Sequence, residues 1–329
     1  MDYLKLGKTD IKVSVIALGC WPFAGGAVWG EQDDDVSVAT AHAALDVGVN
    51  FFDTAEGYEN GHSEEVLGRA LVGRRHEAVI ATKVSASHLA AGEVEQACER
   101  SLKRMQTDYI DLYQIHWPSR KAPMGETIAA LERLKQQGKI RAIGVSNFAV
   151  GDMAAFLSIG HCETNQLPFG LFWRAIEHEI QPMCVEKGLG IICYSPLAQG
   201  LLTGRYASGD EVYGGLARTR WYSGERPMAN HGEPGCEAEV FAALNRIRQI
   251  AQKVGEPMGN VALAWLRRQP GVTSMLVGAR TPEEIRQDVG AAEVSLSDEV
   301  MRDLADASRE VKGKIGTNAD MWMTESRMR

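Results

Sequence analysis

VSVIAL, residues 13–18, carries apolar side chains at five of its six positions and shows no alternation of apolar and polar residues. A strand with one face in water alternates, whereas a strand of a parallel sheet covered by helices on both faces is apolar along its length. Seven further runs of this kind follow, separated by stretches with helical periodicity such as Ile128, Leu131 and Leu134. The predicted strands span residues 13–19, 50–54, 78–83, 109–116, 140–146, 163–166, 190–195 and 274–278.

Eight β–α units in succession predict an α/β fold of the (β/α)8 or TIM barrel type. The rival architecture is a doubly wound open sheet, which usually places a glycine-rich phosphate turn after its first strand. The turn at this position reads GCWPFAGGAVWG (residues 19–30) and contains no G-x-G-x-x-G, and GxxxxGK[ST] occurs nowhere in the chain. Neither a Rossmann site nor a P-loop is supported, so the closed barrel is favoured.

Two segments depart from the β–α repeat. YLKLGKTDIKVS (residues 3–14) alternates around a Gly-Lys-Thr-Asp turn and predicts an N-terminal β-hairpin that closes the barrel floor. Between the seventh and eighth strands, residues 198–234 are rich in Gly, Arg, Tyr and Trp, and a loop of this length in a compact domain is usually either functional or disordered. We expect it to cover a substrate, and we expect residues 1–329 to form a single barrel domain.

Charge and composition exclude several classes of partner. The chain carries 43 acidic and 35 basic side chains, a formal charge of −8, which disfavours binding to nucleic acid or to anionic lipid. No apolar stretch is long enough to span a membrane, and the first residues are too polar for a signal peptide, so we expect a soluble, cytoplasmic protein. The eight histidines and six cysteines contain no H-E-x-x-H or C-x-x-C pattern, so no metal is predicted. The sequence leaves the oligomeric state open, a homo-oligomer included.

Polar side chains stand at the ends of three neighbouring predicted strands. FFDTAEGY (51–58) supplies Asp53 and Tyr58, ATK (81–83) supplies Lys83, and YQIHW (113–117) supplies His116. In a barrel the carboxyl ends of the strands converge on one mouth, so these four side chains are predicted to meet there.

These residues and the motifs around them resemble the aldo-keto reductases, within a subgroup of bacterial sugar and aldehyde reductases that is also similar to the potassium-channel β-subunits. The resemblance runs, in fixed order, through FFDTAEGY (51–58), GHSEEVLGRAL (61–71), ATK (81–83), DYIDLYQIHWP (108–118), GKIRAIGVSNF (138–148), TNQLPF (164–169), YSPLAQGLLTG (194–204) and VGARTPEEI (277–285). It implies a (β/α)8 barrel and the NAD(P)-dependent interconversion of a carbonyl and an alcohol on a small-molecule sugar or aldehyde.

The resemblance assigns roles that suit these residue types. Tyr58 is expected to be the general acid, and a neighbouring Lys83 ammonium would lower the pKa of its phenol. A buried lysine needs a counter-charge, which Asp53 supplies. His116 would then hydrogen-bond the substrate oxygen.

The coenzyme residues follow from the same resemblance. Ser146, Asn147 and Gln166 are expected at the nicotinamide carboxamide, and Tyr194 beneath the ring. The pyrophosphate stretch would comprise Ser195, Pro196, Leu197, Gln199, Gly200 and Leu201. The adenosine end would comprise Gly278, Arg280, Thr281, Glu284 and Asp288, with Thr281 capping a helix that starts at Pro282.

Arg280 suits a 2′-phosphate, so NADPH is the expected coenzyme, but the carboxylates Glu284 and Asp288 would repel that phosphate and keep NAD open. The expected substrate walls are Trp21, Trp29 and Trp117. The long loop adds candidates for a hydroxyl-rich or anionic substrate, namely Arg218, Arg220, Trp221, Tyr222 and Arg226.

Three functions are compatible with this set of residues. The first is an NADPH-dependent reductase of aldehydes or oxo-sugars. The second is an NAD-dependent sugar dehydrogenase that runs in the opposite direction, and the third is a coenzyme-sensing binding subunit like the channel β-subunits. The four residues at the strand ends do not separate them.

Overall fold

The computed structural model describes residues 1–329, and its centre is a closed barrel of eight parallel strands. Each strand pairs with the next along the chain, and the last closes on the first. A two-stranded antiparallel hairpin, β1 (Tyr3–Lys5) and β2 (Lys12–Ser14), precedes the barrel. The barrel strands are β3 (Ile16–Gly19), β4 (Phe51–Asp53), β5 (Val79–Val84), β6 (Ile110–Ile115), β7 (Ile140–Ser146), β8 (Thr164–Pro168), β9 (Gly190–Tyr194) and β10 (Val272–Val277). The predicted (β/α)8 fold is confirmed.

Helices surround the barrel because each buries one apolar stripe against it. In the helix that follows β5, for example, the buried positions Val94, Ala97, Ser101 and Met105 recur every three or four residues. The α-helices are α1 (Gly26–Trp29), α2 (Asp34–Asp46), α3 (His62–Ala70), α4 (Ala91–Met105), α5 (Met124–Gln136), α6 (Val150–Leu157), α7 (Ile180–Lys187), α8 (Glu237–Val254), α9 (Met258–Arg267), α10 (Pro282–Val289), α11 (Asp298–Ala307) and α12 (Arg309–Ile315). None of them is long and apolar enough to cross a membrane.

The predicted first strand, residues 13–19, serves two sheets. Its start pairs with β1, and from Ile16 onward it belongs to the barrel. The chain bends at Val15, which links the two sheets: its N–H donates to Asp2 O at 3.0 Å and its carbonyl accepts from Met275 N at 2.9 Å. Residues 13–18 are apolar at five of six positions, so hydrophobicity alone does not show where pairing with β1 ends and pairing within the barrel begins.

The hairpin closes the floor of the barrel, as predicted. Leu6, Ile11 and Val13 are buried and pack in one cluster with the inward-facing residues Ala17 and Phe51 of the barrel. This small cluster fills the barrel interior up to the level of the strand ends. Polar side chains of the mouth therefore stand on a dry, packed base.

The long segment 198–234 is held in place by buried side chains. Trp221 and Tyr222 are at most 2% exposed, and the indole of Trp221 donates to Phe172 O at 2.9 Å. Arg220 is also buried; it pairs with Glu233 at 2.8 Å and donates to Asn318 O at 2.9 Å. The segment is thus fastened to the C-terminal residues 316–329, which follow α12 and return over the mouth.

Candidate active site

The four predicted catalytic residues meet at the carboxyl ends of neighbouring strands. Asp53 is the last residue of β4, Lys83 lies near the end of β5, and His116 directly follows β6. Tyr58 begins a short 3-10 turn after β4. The barrel's parallel register brings these positions to one rim.

Lys83 is the centre of this group. Its fully buried Nζ donates to Asp53 Oδ1 at 2.6 Å, to Thr54 O at 2.8 Å and to the Tyr58 hydroxyl at 3.1 Å, so that its three protons each have an acceptor. Burial alone would lower the pKa of Lys83, but the Asp53 carboxylate and Tyr58 outweigh it, and the net shift is upward. The lysine therefore stays charged at neutral pH.

The second oxygen of Asp53 is held by two amides. Gln166 Nε2 donates to Asp53 Oδ2 at 2.8 Å and Gln114 Nε2 donates to it at 3.2 Å. Gln166, expected at the coenzyme, thus also fixes the carboxylate that balances Lys83. Gln114 was not predicted, and its signal in the sequence is a polar side chain inside the apolar strand β6, two residues before His116.

Tyr58 lies between aromatic side chains. Its ring is stacked on Trp21, with centroids 5.4 Å apart and an interplanar angle of 18°, and it meets the edge of His116 at 5.8 Å. Burial raises the pKa of Tyr58, while the Lys83 ammonium lowers it, and the net direction is upward. The expected effect of Lys83 on the pKa is present but smaller than that of burial, so the phenol is protonated at neutral pH.

His116 carries no charge near neutrality. Burial, followed by the nearby cations Lys83 and Arg327, lowers its pKa to about 3. A neutral imidazole beside a phenol can hydrogen-bond a carbonyl oxygen without adding a second cation to the site.

The residues expected at the nicotinamide form a connected set. Asn147, which has a left-handed backbone with φ of 63°, donates to His116 O and Ser146 Oγ, both at 3.0 Å, and accepts from the Tyr194 hydroxyl at 2.9 Å. Tyr194 in turn stacks on Trp322 of the C-terminal segment, with centroids 5.8 Å apart.

A cavity of about 640 Å³ opens above this group. Of the predicted residues, those on its wall are Trp21, Trp29, Asp53, Tyr58, His116, Trp117, Ser146, Asn147, Gln166, Tyr194, Ser195, Pro196, Leu197, Gln199, Gly200, Gly278, Glu284 and Asp288. Four are not on it. Lys83 lies behind Asp53 and Tyr58, Leu201 is fully buried in the apolar core, and Arg280 and Thr281 lie beside the cavity.

The pyrophosphate stretch fits an anionic dinucleotide. Gln199 is 8% exposed, yet neither atom of its side-chain amide has a hydrogen-bond partner within the protein. Ser195 and Gln199 both have positive φ angles, 51° and 54°, which few non-glycine residues adopt and which carry a cost in backbone strain. An unsatisfied amide on a strained loop at the cavity wall is the feature expected where a polar ligand completes the site.

The adenosine end differs from expectation in one respect. Arg280 Nε donates to Gln32 Oε1 at 2.8 Å and its guanidinium also contacts Glu31 O, so the group is bonded away from the cavity. Thr281 caps α10 as predicted, accepting from Glu284 N at 3.3 Å. Asp288 and Glu284 lie on the wall, and burial, followed by the charge of Glu284, raises the pKa of Asp288 to about 7.

The substrate end has walls from the predicted tryptophans and from a segment that was not predicted. Trp21 and Trp29 meet edge to face with centroids 5.6 Å apart. Trp322 lies 6.0 Å from Trp117, whose ring also carries the Arg327 guanidinium at 3.5 Å. The C-terminal stretch MWMTESRMR has no periodicity, so the sequence offered no signal that it returns to the mouth.

The candidates from the long loop separate into two groups. Arg218 lies on the cavity wall. Arg220 pairs with Glu233 and Arg226 pairs with Glu237 at 2.7 Å, while Trp221 and Tyr222 belong to the apolar core. Of the three loop arginines that were predicted, Arg218 alone lies on the wall; Arg205 of the same segment, which was not predicted, lies there as well.

No group of three or more His, Cys, Asp or Glu side chains is arranged to hold a metal ion.

Residues 15–309 match the sequence model of the Aldo/keto reductase family. Among curated proteins, the aldo-keto reductase YhdN of Bacillus subtilis is 35% identical over 296 residues, covering 87% of either chain. The NADH-specific methylglyoxal reductase of Escherichia coli is 33% identical over 334 residues, covering 93% of this chain and 99% of that protein. A probable voltage-gated potassium channel β-subunit of Oryza sativa is 29% identical over 311 residues, covering 89% and 92%.

Solved structures give the same result. A Klebsiella pneumoniae aldo-keto reductase in complex with NADPH superposes with a TM-score of 0.74 at 31% identity, covering 94% of each chain. A glycerol dehydrogenase of Gluconobacter oxydans superposes with a TM-score of 0.80 at 33% identity, covering 96% of this chain and 97% of that one.

Proposed function

Because this chain belongs to the Aldo/keto reductase family, we propose that it is an NAD(P)H-dependent reductase that converts an aldehyde, aldose or oxo-sugar carbonyl into an alcohol. The observation that carries the proposal is the buried Lys83 ammonium, which joins the Tyr58 hydroxyl and the Asp53 carboxylate beneath the cavity. We further propose that residues 1–329 act as one domain, since the C-terminal Trp322 and Arg327 complete the cavity wall.

A nicotinamide coenzyme held by the cavity wall would supply the hydride, with its two electrons, that the carbonyl carbon needs. Tyr58 donates the proton to the carbonyl oxygen as the C=O π bond breaks, and the net reaction consumes the aldehyde, the reduced coenzyme and one proton. Lys83, whose Nζ lies 3.1 Å from the Tyr58 hydroxyl, stabilises the phenolate that remains. Asp53 keeps Lys83 charged and in place, and Gln114 and Gln166 keep Asp53 in place.

His116 orients the substrate in this scheme. With its pKa lowered to about 3, its imidazole is neutral and offers one N–H to the carbonyl oxygen beside Tyr58. The hydride and the proton then reach the two ends of one fixed C=O bond.

The coenzyme would lie along the stretch from Ser195 to Gly200, where Gln199 has an unsatisfied amide, and towards α10. NADPH is the first choice, since Arg280 adjoins this end and the Klebsiella protein is seen with NADPH. Glu284 and Asp288 on the wall favour NADH, the coenzyme named for the Escherichia coli relative. For this reason an NAD-dependent sugar dehydrogenase is the second candidate function.

The test is steady-state kinetics with NADPH and NADH against a panel of aldehydes and aldoses, and in reverse with NADP and NAD against the matching alcohols. Reduction of at least one carbonyl, lost in Tyr58→Phe, supports the reductase. A higher kcat/KM for sugar oxidation with NAD supports the dehydrogenase. Absence of turnover in both directions rejects both.

A further inference from the structure

Arg218 is a cation on the cavity wall without a counter-ion. Its one hydrogen bond within the protein runs from Nε to Gly215 O at 2.9 Å, and both terminal nitrogens of its guanidinium are left without a protein acceptor. Its guanidinium carbon lies 5.6 Å from the ring centre of Trp21 and 5.7 Å from that of Trp322. Two indole rings thus hold the charge in place and shield it from water.

The other charges at this end of the cavity are balanced. Lys83 is paired with Asp53, and Arg327 is paired with Asp320 through two bonds of 2.7 and 2.9 Å. His116 is neutral near pH 7 because burial lowers its pKa to about 3. The carboxylates Glu284 and Asp288 lie at the coenzyme end. Arg218 therefore leaves the substrate end with an uncompensated positive charge.

The surroundings of Arg218 include no acid that stabilises it. Burial lowers the pKa of this guanidinium and the nearby Arg327 lowers it further, and no carboxylate opposes them. A desolvated cation of this kind gains most from an anion that a ligand brings with it.

The position of Arg218 relates this charge to the chemistry. Trp21, which Arg218 contacts, is the same ring that stacks on Tyr58. One indole therefore separates the proton donor from the free guanidinium. Tyr58 and Arg218 line the same cavity, so a substrate with its carbonyl at Tyr58 and a second polar group further along its chain spans the two.

We propose that Arg218 binds an anionic group of the substrate, so that the preferred substrates are aldehydes or oxo-compounds carrying a carboxylate or phosphate away from the carbonyl. The inference rests on the proposed reductase function and specifies its substrate class. Both anions accept two hydrogen bonds from the terminal nitrogens of a guanidinium, which is the geometry that Arg218 leaves unused.

The carboxylate arm of the test uses 4-carboxybenzaldehyde and 4-carbamoylbenzaldehyde, which have nearly the same shape and differ in charge. We expect kcat/KM to be roughly tenfold or more higher for the carboxylate in the wild-type enzyme, the order of magnitude of a charge-assisted hydrogen bond. The phosphate arm compares glyceraldehyde 3-phosphate with glyceraldehyde. The arm that gives the larger ratio of kcat/KM, anionic over neutral aldehyde, identifies whether a carboxylate or a phosphate is preferred.

The variants assign the discrimination to one side chain. Arg218→Met should reduce the anion-to-neutral ratio about tenfold, and Arg218→Lys should leave an intermediate ratio because it keeps the charge without the paired donors. Arg226→Met is the matched control, since Arg226 lies in the same segment but pairs with Glu237 and is absent from the cavity wall; its ratio should equal that of the wild type.

A wild-type ratio near one in both arms overturns the proposal, as does an unchanged ratio in Arg218→Met. If Arg218→Met does not fold, the wild-type ratio still decides, together with its decline as salt is raised. Turnover of the neutral aldehydes tests the reductase function independently, so failure of the anion preference and failure of the proposed function give different results.

Discussion

Lys83 Nζ lies 3.1 Å from the Tyr58 hydroxyl, and Lys83 has no surface exposed to solvent. A phenol in this position gives up its proton beside a fixed positive charge, and water cannot screen the interaction. The proposed proton donation by Tyr58 would therefore depend on the charge of Lys83, and the first two predictions follow from that dependence.

Tyr58→Phe should lower kcat/KM for carbonyl reduction by at least a hundredfold, the lower range for loss of a general acid, because it removes the proton donor and keeps the ring on Trp21. The dissociation constant of the coenzyme, measured by fluorescence titration, should change little. Tyr3→Phe is the control, since Tyr3 is exposed on the hairpin strand β1 and its hydroxyl donates to Gly48 O. Retention of more than about a tenth of the wild-type rate would remove Tyr58 from the acid role.

Lys83→Met should cost as much activity as Tyr58→Phe, and the two losses should not add in the double variant, because both residues act in one proton-donating unit. The measurement is kcat/KM at the four corners of the cycle, with circular dichroism to verify folding, since Asp53 loses its buried partner. Lys139→Met is the control, since Lys139 lies just before β7, at the opposite end of the strands from the site, and pairs with Glu99. Additive losses would show that the two side chains have separate roles.

The sequence predicts the strand ends well because apolar runs and polar ends are local patterns. Asp53, Lys83 and His116 each stand where a buried strand gives way to polar residues, and the barrel then brings them together without further information. Val15 shows the limit of this approach, since a run that is apolar throughout does not reveal where one sheet ends and the next begins.

The parts of the site that were not predicted depend on long-range contacts. Trp322 reaches Tyr194 from more than a hundred residues away, and Arg280 turns to Gln32 in the loop after the neighbouring strand β3. Gln166 was expected at the coenzyme, but its amide also donates a hydrogen bond to Asp53, a contact that the TNQ motif does not indicate. Periodicity and motif spacing describe neighbours along the chain, and these three contacts are set by tertiary packing.

His116 should make the fold sensitive to acid. Its pKa is about 3 in the folded protein and near 6.5 when unfolded, so below pH 6.5 the unfolded chain binds more protons and stability falls as the pH drops towards 3. At pH 5 the loss should be about 1 to 2 kcal/mol. The difference in denaturant midpoint between pH 7.5 and pH 5 should therefore shrink in His116→Gln and persist in His76→Gln, which alters an exposed histidine. An equal pH dependence in His116→Gln and wild type would contradict the buried neutral imidazole.

Coenzyme selectivity should depend on pH through Asp288. Burial and the charge of Glu284 raise its pKa to about 7, so the carboxyl gains its charge as pH rises from 6 to 8. NADPH should accordingly lose affinity relative to NADH over this range, because a carboxylate appears at the adenosine end. The ratio of dissociation constants at several pH values tests this, and comparison with Asp288→Asn separates it from titration of the 2′-phosphate itself. A ratio with the same pH dependence in both proteins would exclude Asp288.

The last prediction concerns Arg280, whose guanidinium donates to Gln32 and Glu31 O and must leave them to bind a 2′-phosphate. If it does so, Arg280→Ala should raise the dissociation constant for NADPH about tenfold, corresponding to about 1 to 2 kcal/mol, and barely change that for NADH. Glu284→Gln should tighten NADPH selectively, because it removes a carboxylate from the same wall. Gln32→Ala should also increase the affinity for NADPH, since it frees the guanidinium from a competing acceptor, and this effect should vanish in the double variant with Arg280→Ala.

Fluorescence titration of both coenzymes against the wild type and these variants measures all four effects. Equal losses for NADH and NADPH in Arg280→Ala would show that the residue shapes the loop around Gln32 and does not recognise the phosphate, and a wild-type preference for NADH would place the dehydrogenase first.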